Sequence, residues 1–219
     1  NEVELDMDKT RRQKWVLNIF ETLDRDGMVA TSSHGIYLLD HSGKVKKKLT
    51  PISTSDNVVR RMQPLADHKA VLTMTYEVDI VDLKNLKLKT ILNIKDGANA
   101  KAGQRKTLVS SHTEDGKILW LATRNNEILK LDLQSGETKE ICTLPDSCGT
   151  VRNMRFNSKG GVGELWICTT LGGLLYKIPG MPGIRKVERS KYLEFNVNTM
   201  EVDNDGNAWV ATEVGLVRL

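Results

Sequence analysis

Only a few residues of this 219-residue chain have the type and spacing that catalysis requires. Glu21 and Glu201 are the carboxylates expected on first strands, but they belong to different repeats. A glycosidase or lyase needs two carboxylates at a short, defined separation. The four histidines are His34, His41, His68 and His112. They lie in predicted turns or at strand ends, and none belongs to a nucleophile-elbow motif. We predict no catalytic residue and no cofactor in this segment, and a propeller glycosidase or lyase is the least favoured of three functions.

A second chemical possibility is metal binding by the acidic turns. Asp203, Asp205 and Asn207 have the alternate spacing with which a calcium-binding EF-hand loop begins. Ala208 stands where that loop requires glycine, and no glutamate occupies the twelfth position. Adjacent Asp-Gly pairs are typical of tight turns, and they occur at Asp115-Gly116 and Asp205-Gly206. The acidic residues are therefore predicted to form turns, and no metal site is predicted.

The three cysteines are too few and too irregular for a disulfide framework. Cys142 and Cys148 flank a short loop, so they can form a disulfide in an oxidising compartment or remain two free thiols. Cys168 lies inside an apolar run and is predicted to be a small core residue.

Composition is that of a globular protein, with 39% hydrophobic and 27% charged residues and a net charge of +4. No apolar run reaches the roughly 18–20 residues of a membrane span. Aromatic residues amount to 5% without a stacking series, which argues against a nucleic-acid partner. The chain begins with Asn1 and without a signal-like series, so any export signal is expected to be missing or removed. The densest basic run consists of Lys44, Lys46, Lys47 and Lys48. It is interpreted as a solvated hairpin arm, and contact with a polyanion is the alternative.

The main signal is an internal repeat. Five segments share an apolar stretch preceded by an acidic turn, and their anchor residues are Thr31, Met74, Thr123, Thr169 and Thr212. These anchors are 43, 49, 46 and 43 residues apart, close to the roughly 40–50 residues of a four-stranded propeller blade. A second apolar stretch and a hairpin rich in Asp, Asn, Ser and Gly follow each anchor. The pattern predicts an all-β fold, a β-propeller of four-stranded blades with about five blades present.

The repeat places one propeller domain over residues 1–219. Its approximate blades cover residues 15–57, 58–106, 107–149, 150–191 and 192–219. Residues 1–8 alternate apolar and acidic side chains and are predicted to be an outer strand. This strand either completes the fifth blade of a five-bladed ring or belongs to a preceding blade of a larger ring.

The fourth repeat illustrates how one blade is built. Its predicted strands are Thr150–Asn157, Glu164–Thr169, Gly173–Ile178 and roughly Ile184–Arg189. The second strand is apolar on both faces, with Trp166 and Cys168 on one and Leu165 and Ile167 on the other, as suits a blade packed between neighbours. The tryptophan of each such strand is expected to fill the layer between neighbouring blades. The small residues Ala122, Cys168 and Ala211 leave room for it.

Residues 197–212, followed by Gly215-Leu216, resemble the two-component regulator propeller repeat. That repeat typically ends in Asp-x-x-Gly-Asn-x-Trp-x-Gly-Thr and then Gly-Leu. The resemblance spans most of the chain but is specific only in residues 107–219, because the first two repeats lack the tryptophan. The residues that match the pattern, and are expected to be structural, are Asp115, Gly116, Trp120, Trp166, Asp203, Asp205, Gly206, Trp209, Thr212 and Gly215.

The resemblance implies the periplasmic sensor region of a bacterial hybrid two-component system. In such proteins two seven-bladed propellers typically precede an immunoglobulin-like domain, a membrane helix, a histidine kinase and a regulator, and many sense oligosaccharides. This chain would then be part of a seven-bladed ring within a homodimeric protein. It would contact the membrane only through segments absent here, and it carries no kinase part.

The leading functional hypothesis is a non-catalytic sensor propeller that recognises a ligand through its first strands and the adjacent loops. The candidate ligand-binding residues are Arg60, Arg61, His112, Arg152, Arg155 and Asn198, beside the further polar residues Asn153 and Asn196. Arginine suits anionic sugar groups. The alternative is a protein-interaction or dimerisation propeller without a small-molecule site.

Overall fold

The computed structural model describes residues 16–22, 27–32, 35–49, 52, 57–95, 107–157, 163–188, 191–194, 196–203 and 205–219. Within these ranges the chain forms nineteen strands and two 3-10 turns. The strands make five antiparallel sheets, each a simple meander in chain order, and these are the blades of a β-propeller. The predicted all-β propeller is therefore confirmed. Residues 1–8, predicted to be a strand, lie outside the described residues, as does His34.

The chain divides into two compact units, residues 1–108 and 109–219. The first unit contains two four-stranded sheets. The strands of the first sheet are β1 (Val16–Glu21), β2 (Met28–Ser32), β3 (Ile36–Leu39) and β4 (Val45–Leu49). Those of the second sheet are β5 (Val59–Leu65), β6 (Lys69–Met74), β7 (Glu77–Asp82) and β8 (Lys87–Asn93).

The second unit holds the third, fourth and fifth sheets. The third sheet consists of β9 (Leu108–Glu114), β10 (Ile118–Thr123), β11 (Glu127–Asp132) and β12 (Thr138–Thr143). The fourth consists of β13 (Val151–Asn157), β14 (Glu164–Thr169), β15 (Leu174–Lys177) and β16 (Arg185–Lys186). The fifth has three described strands, β17 (Val197–Val202), β18 (Ala208–Thr212) and β19 (Gly215–Arg218). The predicted second strand of the fourth repeat has the bounds of β14, whereas the outer strand is shorter than predicted.

Aspartates at the end of the third strands form the outer hairpins. Asp40, Asp82 and Asp132 each accept the backbone N–H of the residue two positions on, at 2.9, 2.8 and 2.9 Å. This Asx geometry closes the turn, and the hydrogen bonds hold the pKa of all three carboxyls below their ordinary value. The Asp-rich hairpin signal in the sequence therefore has a local physical cause.

The second strand of the fourth sheet separates two hydrophobic layers. Leu165 and Ile167 belong to the core shared with the third sheet, together with Trp120. Cys168 belongs to the core shared with the fifth sheet, and Trp166 packs against it. The predicted alternation is confirmed, because each face of the strand is covered by a different neighbouring sheet.

Tryptophan fills the layer between blades in the third sheet but not in the fifth. Trp120 is fully buried and stacks on Phe156, with ring centroids 5.7 Å apart and an interplanar angle of 11°. Trp209 is 38% exposed, and Leu216, which pairs with Ala211 in the same sheet, is 65% exposed. The prediction of a buried tryptophan is wrong for Trp209, because its face of the fifth sheet is exposed.

The anchor of the first repeat is Ser32 rather than Thr31. Ser32 pairs with Val16 at the start of β1, as Thr169 pairs with Val151 in the fourth sheet. Thr31 instead donates its hydroxyl to the sulfur of Met62, at 2.9 Å. The sequence spacing was ambiguous by one residue because both candidates are small hydroxyl residues.

Gly173 permits a close chain approach at the start of the third strand of the fourth sheet. Its φ is +77°, and a Cβ at this position would collide with the carbonyl oxygen of Leu193. Gly183 has a similar φ of +76° but no heavy atom within 4 Å of the same position. A side chain at either position would strain the backbone, but only a side chain at Gly173 would also collide with a neighbouring atom.

Candidate ligand site on the first strands

The first strand of four sheets contains a bulge at an equivalent position. The register of β1, β5, β13 and β17 shifts two residues after an initial valine. The residues within the bulges are Leu17, Arg60, Arg152 and Asn198. A bulge removes a residue from the ladder and re-aims its side chain. Three of the six predicted ligand residues thus occupy one repeated structural position.

Arg152 and Asn198 are the bulge residues of neighbouring sheets in the second unit. Both side chains are exposed, and both follow a buried valine that anchors the strand. Arg152 offers a planar set of N–H donors, whereas Asn198 offers a donor and an acceptor. The pair can therefore contact hydroxyl or anionic groups of a ligand.

Three first strands of the second unit place His112, Arg155 and Glu201 together. The Arg155 Nε donates to Glu201 Oε2 at 3.0 Å, and its Nη2 donates to the other carboxylate oxygen. Nη1 donates to the carbonyl of Met154 at 3.2 Å and lies 3.5 Å from His112 Nδ1. The bidentate pair neutralises the arginine charge and fixes its orientation.

The burial of this ion pair is unequal. The Arg155 side chain is 9% exposed, whereas the Glu201 side chain is 67% exposed. The guanidinium is thus largely removed from water, while its partner remains hydrated. Burying an unpaired charge is costly, so Glu201 is what allows Arg155 to occupy this position.

Side-chain hydrogen bonds also connect neighbouring first strands. Asn153 donates to Thr199 Oγ1 at 2.9 Å in the second unit. In the first unit, Asn18 Oδ1 accepts the backbone N–H of Met62 at 2.9 Å. Asn18 and Asn153 occupy equivalent positions directly after the bulge. The sequence interpretation did not single out Asn18 or Thr199, although the Val-x-Asn spacing at 16–18 and 151–153 was a usable signal.

The remaining predicted residues, Arg60 and Arg61, lie on β5 in the first unit. Arg60 is exposed, and Arg61 is half-buried opposite Thr73 of β6. The structure thus places four of the six candidates on the first strands of the second unit, where His112 and Arg155 are in contact.

The carboxylates considered for catalysis are in unlike environments. Glu201 is held by Arg155, whereas Glu21 is exposed at the end of β1 in the first unit. In the described part of the chain, no three His, Cys, Asp or Glu side chains converge in a way that could hold a metal ion.

The three cysteines are free thiols. Burial raises the pKa of Cys168 to about 12. Burial also raises the pKa of Cys142 and of Cys148. A thiol with a raised pKa is a poor nucleophile near neutral pH, because only the thiolate reacts.

The Asp203 carboxylate organises the turn before β18. Its Oδ1 accepts the backbone N–H groups of Asp205 at 3.0 Å and Asn207 at 2.8 Å. Its Oδ2 accepts the Asn207 amide at 2.8 Å and the Trp209 indole N–H at 2.9 Å. The hydrogen bonds from Asn207 and Trp209 hold the Asp203 pKa far below its ordinary value. Both carboxylate oxygens of Asp203 therefore accept hydrogen bonds that stabilise the turn.

No family model matches the chain, and no curated protein matches it. A solved structure with the same fold is described as the "extracellular domain of the putative one component system BT4673 from B. thetaiotaomicron". The TM-score is 0.68 over 97% of this chain, at 15% sequence identity. The two proteins share a β-propeller fold. This chain spans 28% of the length of that domain. Similarity at this identity shows the fold alone, so the two-component family and the seven-bladed ring remain predictions.

No helix among the described residues is long and apolar enough to cross a bilayer.

Proposed function

We propose that this chain is a non-catalytic ligand-recognition propeller in the periplasmic sensor region of a hybrid two-component signalling protein. The observation that supports this most is the fold shared over 97% of the chain with an extracellular domain of a one-component system. In the full-length protein, a homodimeric histidine kinase would convert ligand binding into phosphorylation. This segment would sense the ligand or transmit the signal.

The proposed ligand is an oligosaccharide, bound along the first strands of the second unit. Because Glu201 neutralises Arg155, this row offers hydrogen-bond donors and acceptors rather than a strong positive field. Arg152 and Asn198 add exposed polar groups at the bulges. Sugar hydroxyls match such a mixed set, and an acidic sugar would add a contact to Arg152.

A glycan array followed by calorimetry on this chain tests the proposal. Simultaneous Arg152→Ala and Asn198→Ala replacement is expected to weaken binding about tenfold or more, since each removes direct hydrogen bonds. Lys139→Ala is the matched control, because Lys139 is exposed on the outer strand β12 of the same unit. The proposal fails if no glycan binds, or if the double variant and the control bind equally well.

A second candidate is a dimerisation propeller, which the open face of the fifth sheet favours. On this face Trp209 and Leu216 are 38% and 65% exposed, and Val214 in the adjoining β18–β19 turn is 71% exposed. In the fourth sheet, the corresponding tryptophan face packs against the next sheet through Trp166 and Cys168. The open face therefore combines exposed apolar side chains with Glu201 and Arg218, which pair with Trp209 across the strands. A sheet of a second copy of this chain would cover its apolar part.

Sedimentation of the chain over a range of concentrations tests this second function. Leu216→Glu should abolish self-association, whereas Leu88→Glu should leave it intact, because Leu88 is 41% exposed on the outer strand β8 of the other unit. A chain that remains monomeric at all concentrations contradicts the dimerisation proposal.

A further inference from the structure

The first unit contains a surface cleft between its two sheets, with a volume of about 260 Å³. Its polar wall comes from four segments of the first unit. The segment directly after β1 contributes Thr22, and strand β4, the turn between β5 and β6 and the turn between β7 and β8 contribute Lys46, Lys47, His68 and Lys84. The tertiary fold thus assembles a basic site that no single run of the sequence contains.

The cleft has an excess of positive charge. No carboxylate is among the described residues that line it. Asp40 and Asp82 lie nearby and interact electrostatically with Lys46 and Lys84, so they offset part of this charge. Each also uses its Oδ1 to accept backbone N–H groups of its own hairpin, which keeps its carboxylate at the hairpin. A concave surface with charges of one sign and apolar walls concentrates the electric field and attracts counter-ions. The cleft is therefore suited to an anion.

Lys47 links the two sheets across the cleft. Its ammonium donates to the backbone carbonyl of Lys84, which belongs to the other sheet. This contact holds β4 against the β7–β8 turn. Lys46 and Lys84 are both exposed and can direct their ammonium groups to a ligand.

The remainder of the cleft is apolar. Met28, Leu38, Leu39 and Leu83 line it, and the leucines at 39 and 83 are buried. Gly27 also lines it, and a Cβ at that position would collide with the carbonyl oxygen of Leu39. The volume lies just below the roughly 300–1,000 Å³ of drug-sized ligand pockets. It is suited to a single ring rather than to a polymer.

We propose that this cleft binds a phosphate or sulfate group carried on a body the size of a monosaccharide. Lysine ammonium groups are compact point charges that pair with tetrahedral oxyanions, and the leucines would contact the apolar face of the body. The site is independent of the proposed first-strand site, because all of its residues belong to the first unit. A concave, apolar-walled site favours a small ligand over an acidic macromolecule.

Calorimetry at low ionic strength on the intact chain tests this site, since salt screens exposed charges. The probes are glucose 6-phosphate, glucose 6-sulfate, inorganic phosphate, and glucose as the uncharged control. The expected result is saturable 1:1 binding of at least one of the two charged sugars and none of glucose. A preference between the two sugars shows which of the two anionic groups the cleft favours.

The variant arm uses Lys46→Gln with Lys84→Gln, which removes two charges from the cleft. Binding should weaken about tenfold or more. Lys87→Gln with Lys89→Gln is the matched control, because these lysines are exposed on β8, do not line the cleft and carry the same charge. Equal melting temperatures establish that both variants fold. The proposal is overturned by three results: no saturable binding, an equal loss in the control, or binding of heparin with no binding of the small probes.

Discussion

Removing Glu201 should destabilise the second unit more than removing its partner Arg155. The reason is unequal burial, since the Arg155 side chain is 9% exposed and the Glu201 side chain is 67% exposed. Glu201→Ala leaves a buried guanidinium that retains its contacts with the Met154 carbonyl and His112 but has lost its carboxylate partner. Arg155→Met keeps most of the aliphatic volume and leaves a carboxylate that water can solvate.

The structure sets the size of this difference. Glu201 accepts two hydrogen bonds from the arginine, and a hydrogen bond to a charged group contributes about 1.5–3 kcal/mol. Because Glu201 is largely exposed, solvent screens the pair, so Glu201→Ala should cost about 2 kcal/mol in total. Arg155→Met should cost about 1 kcal/mol, the value of ordinary hydrogen bonds lost without a stranded charge.

Urea denaturation followed by tryptophan fluorescence measures both free energies, because Trp120 and Trp166 report on the second unit. In the double variant the cost should be close to that of Arg155→Met alone, since no charge remains stranded. This corresponds to a coupling of about 2 kcal/mol in the double-mutant cycle. The reasoning is refuted if Glu201→Ala costs less than Arg155→Met, or if the two costs simply add.

Three further predictions concern stability. Trp120→Ala should lower the free energy of unfolding by about 3–5 kcal/mol in denaturant titrations, because it removes a buried aromatic side chain. Trp209→Ala, on the exposed face, should lower it by less than about 1.5 kcal/mol. Similar losses for the two variants would contradict the assignment of Trp120 to a buried layer and of Trp209 to an exposed face. Burial raises the pKa of Asp79, so the folded state favours its protonated form, and stability falls as pH rises above the unfolded value of 3.8. Asp79→Asn should therefore raise the melting temperature at pH 7 and lose this gain below about pH 4; an equal gain at both pH values would contradict the sign. Gly173→Ala should lower the melting temperature more than Gly183→Ala, because both strain the backbone but only the new Cβ at position 173 collides with a carbonyl oxygen. Equal decreases would contradict a steric contribution at Gly173 and leave backbone strain as the cause.

The blades were predictable because their signals are local. The outer hairpins of the first three sheets each use an aspartate that accepts the backbone N–H two residues on, at Asp40, Asp82 and Asp132. The apolar second strands, such as Glu164–Thr169, are continuous runs whose ends are marked by turns. Register was less accessible, and the first repeat was misaligned by one residue at Thr31, because adjacent small hydroxyl residues fit either position.

The site was predictable only in part. Arg152 and Asn198 could be selected as polar first-strand residues, but their shared bulge depends on the pairing with the second strand. The partnership of Arg155 with Glu201 joins residues 46 positions apart and leaves no local pattern. The exposure of Trp209 was also unpredictable, because the repeat is the same whether or not another sheet covers it.

The sequence by itself determined that this protein is built from antiparallel blades without a readable catalytic motif, because turn chemistry and strand periodicity act over a few neighbouring residues. Only the tertiary structure decided which polar side chains meet. It placed His112, Arg155 and Glu201 in contact, and it assembled Lys46, Lys47, His68 and Lys84 into one cleft. These contacts cross from sheet to sheet, and their distances depend on how the sheets pack, which no local pattern encodes.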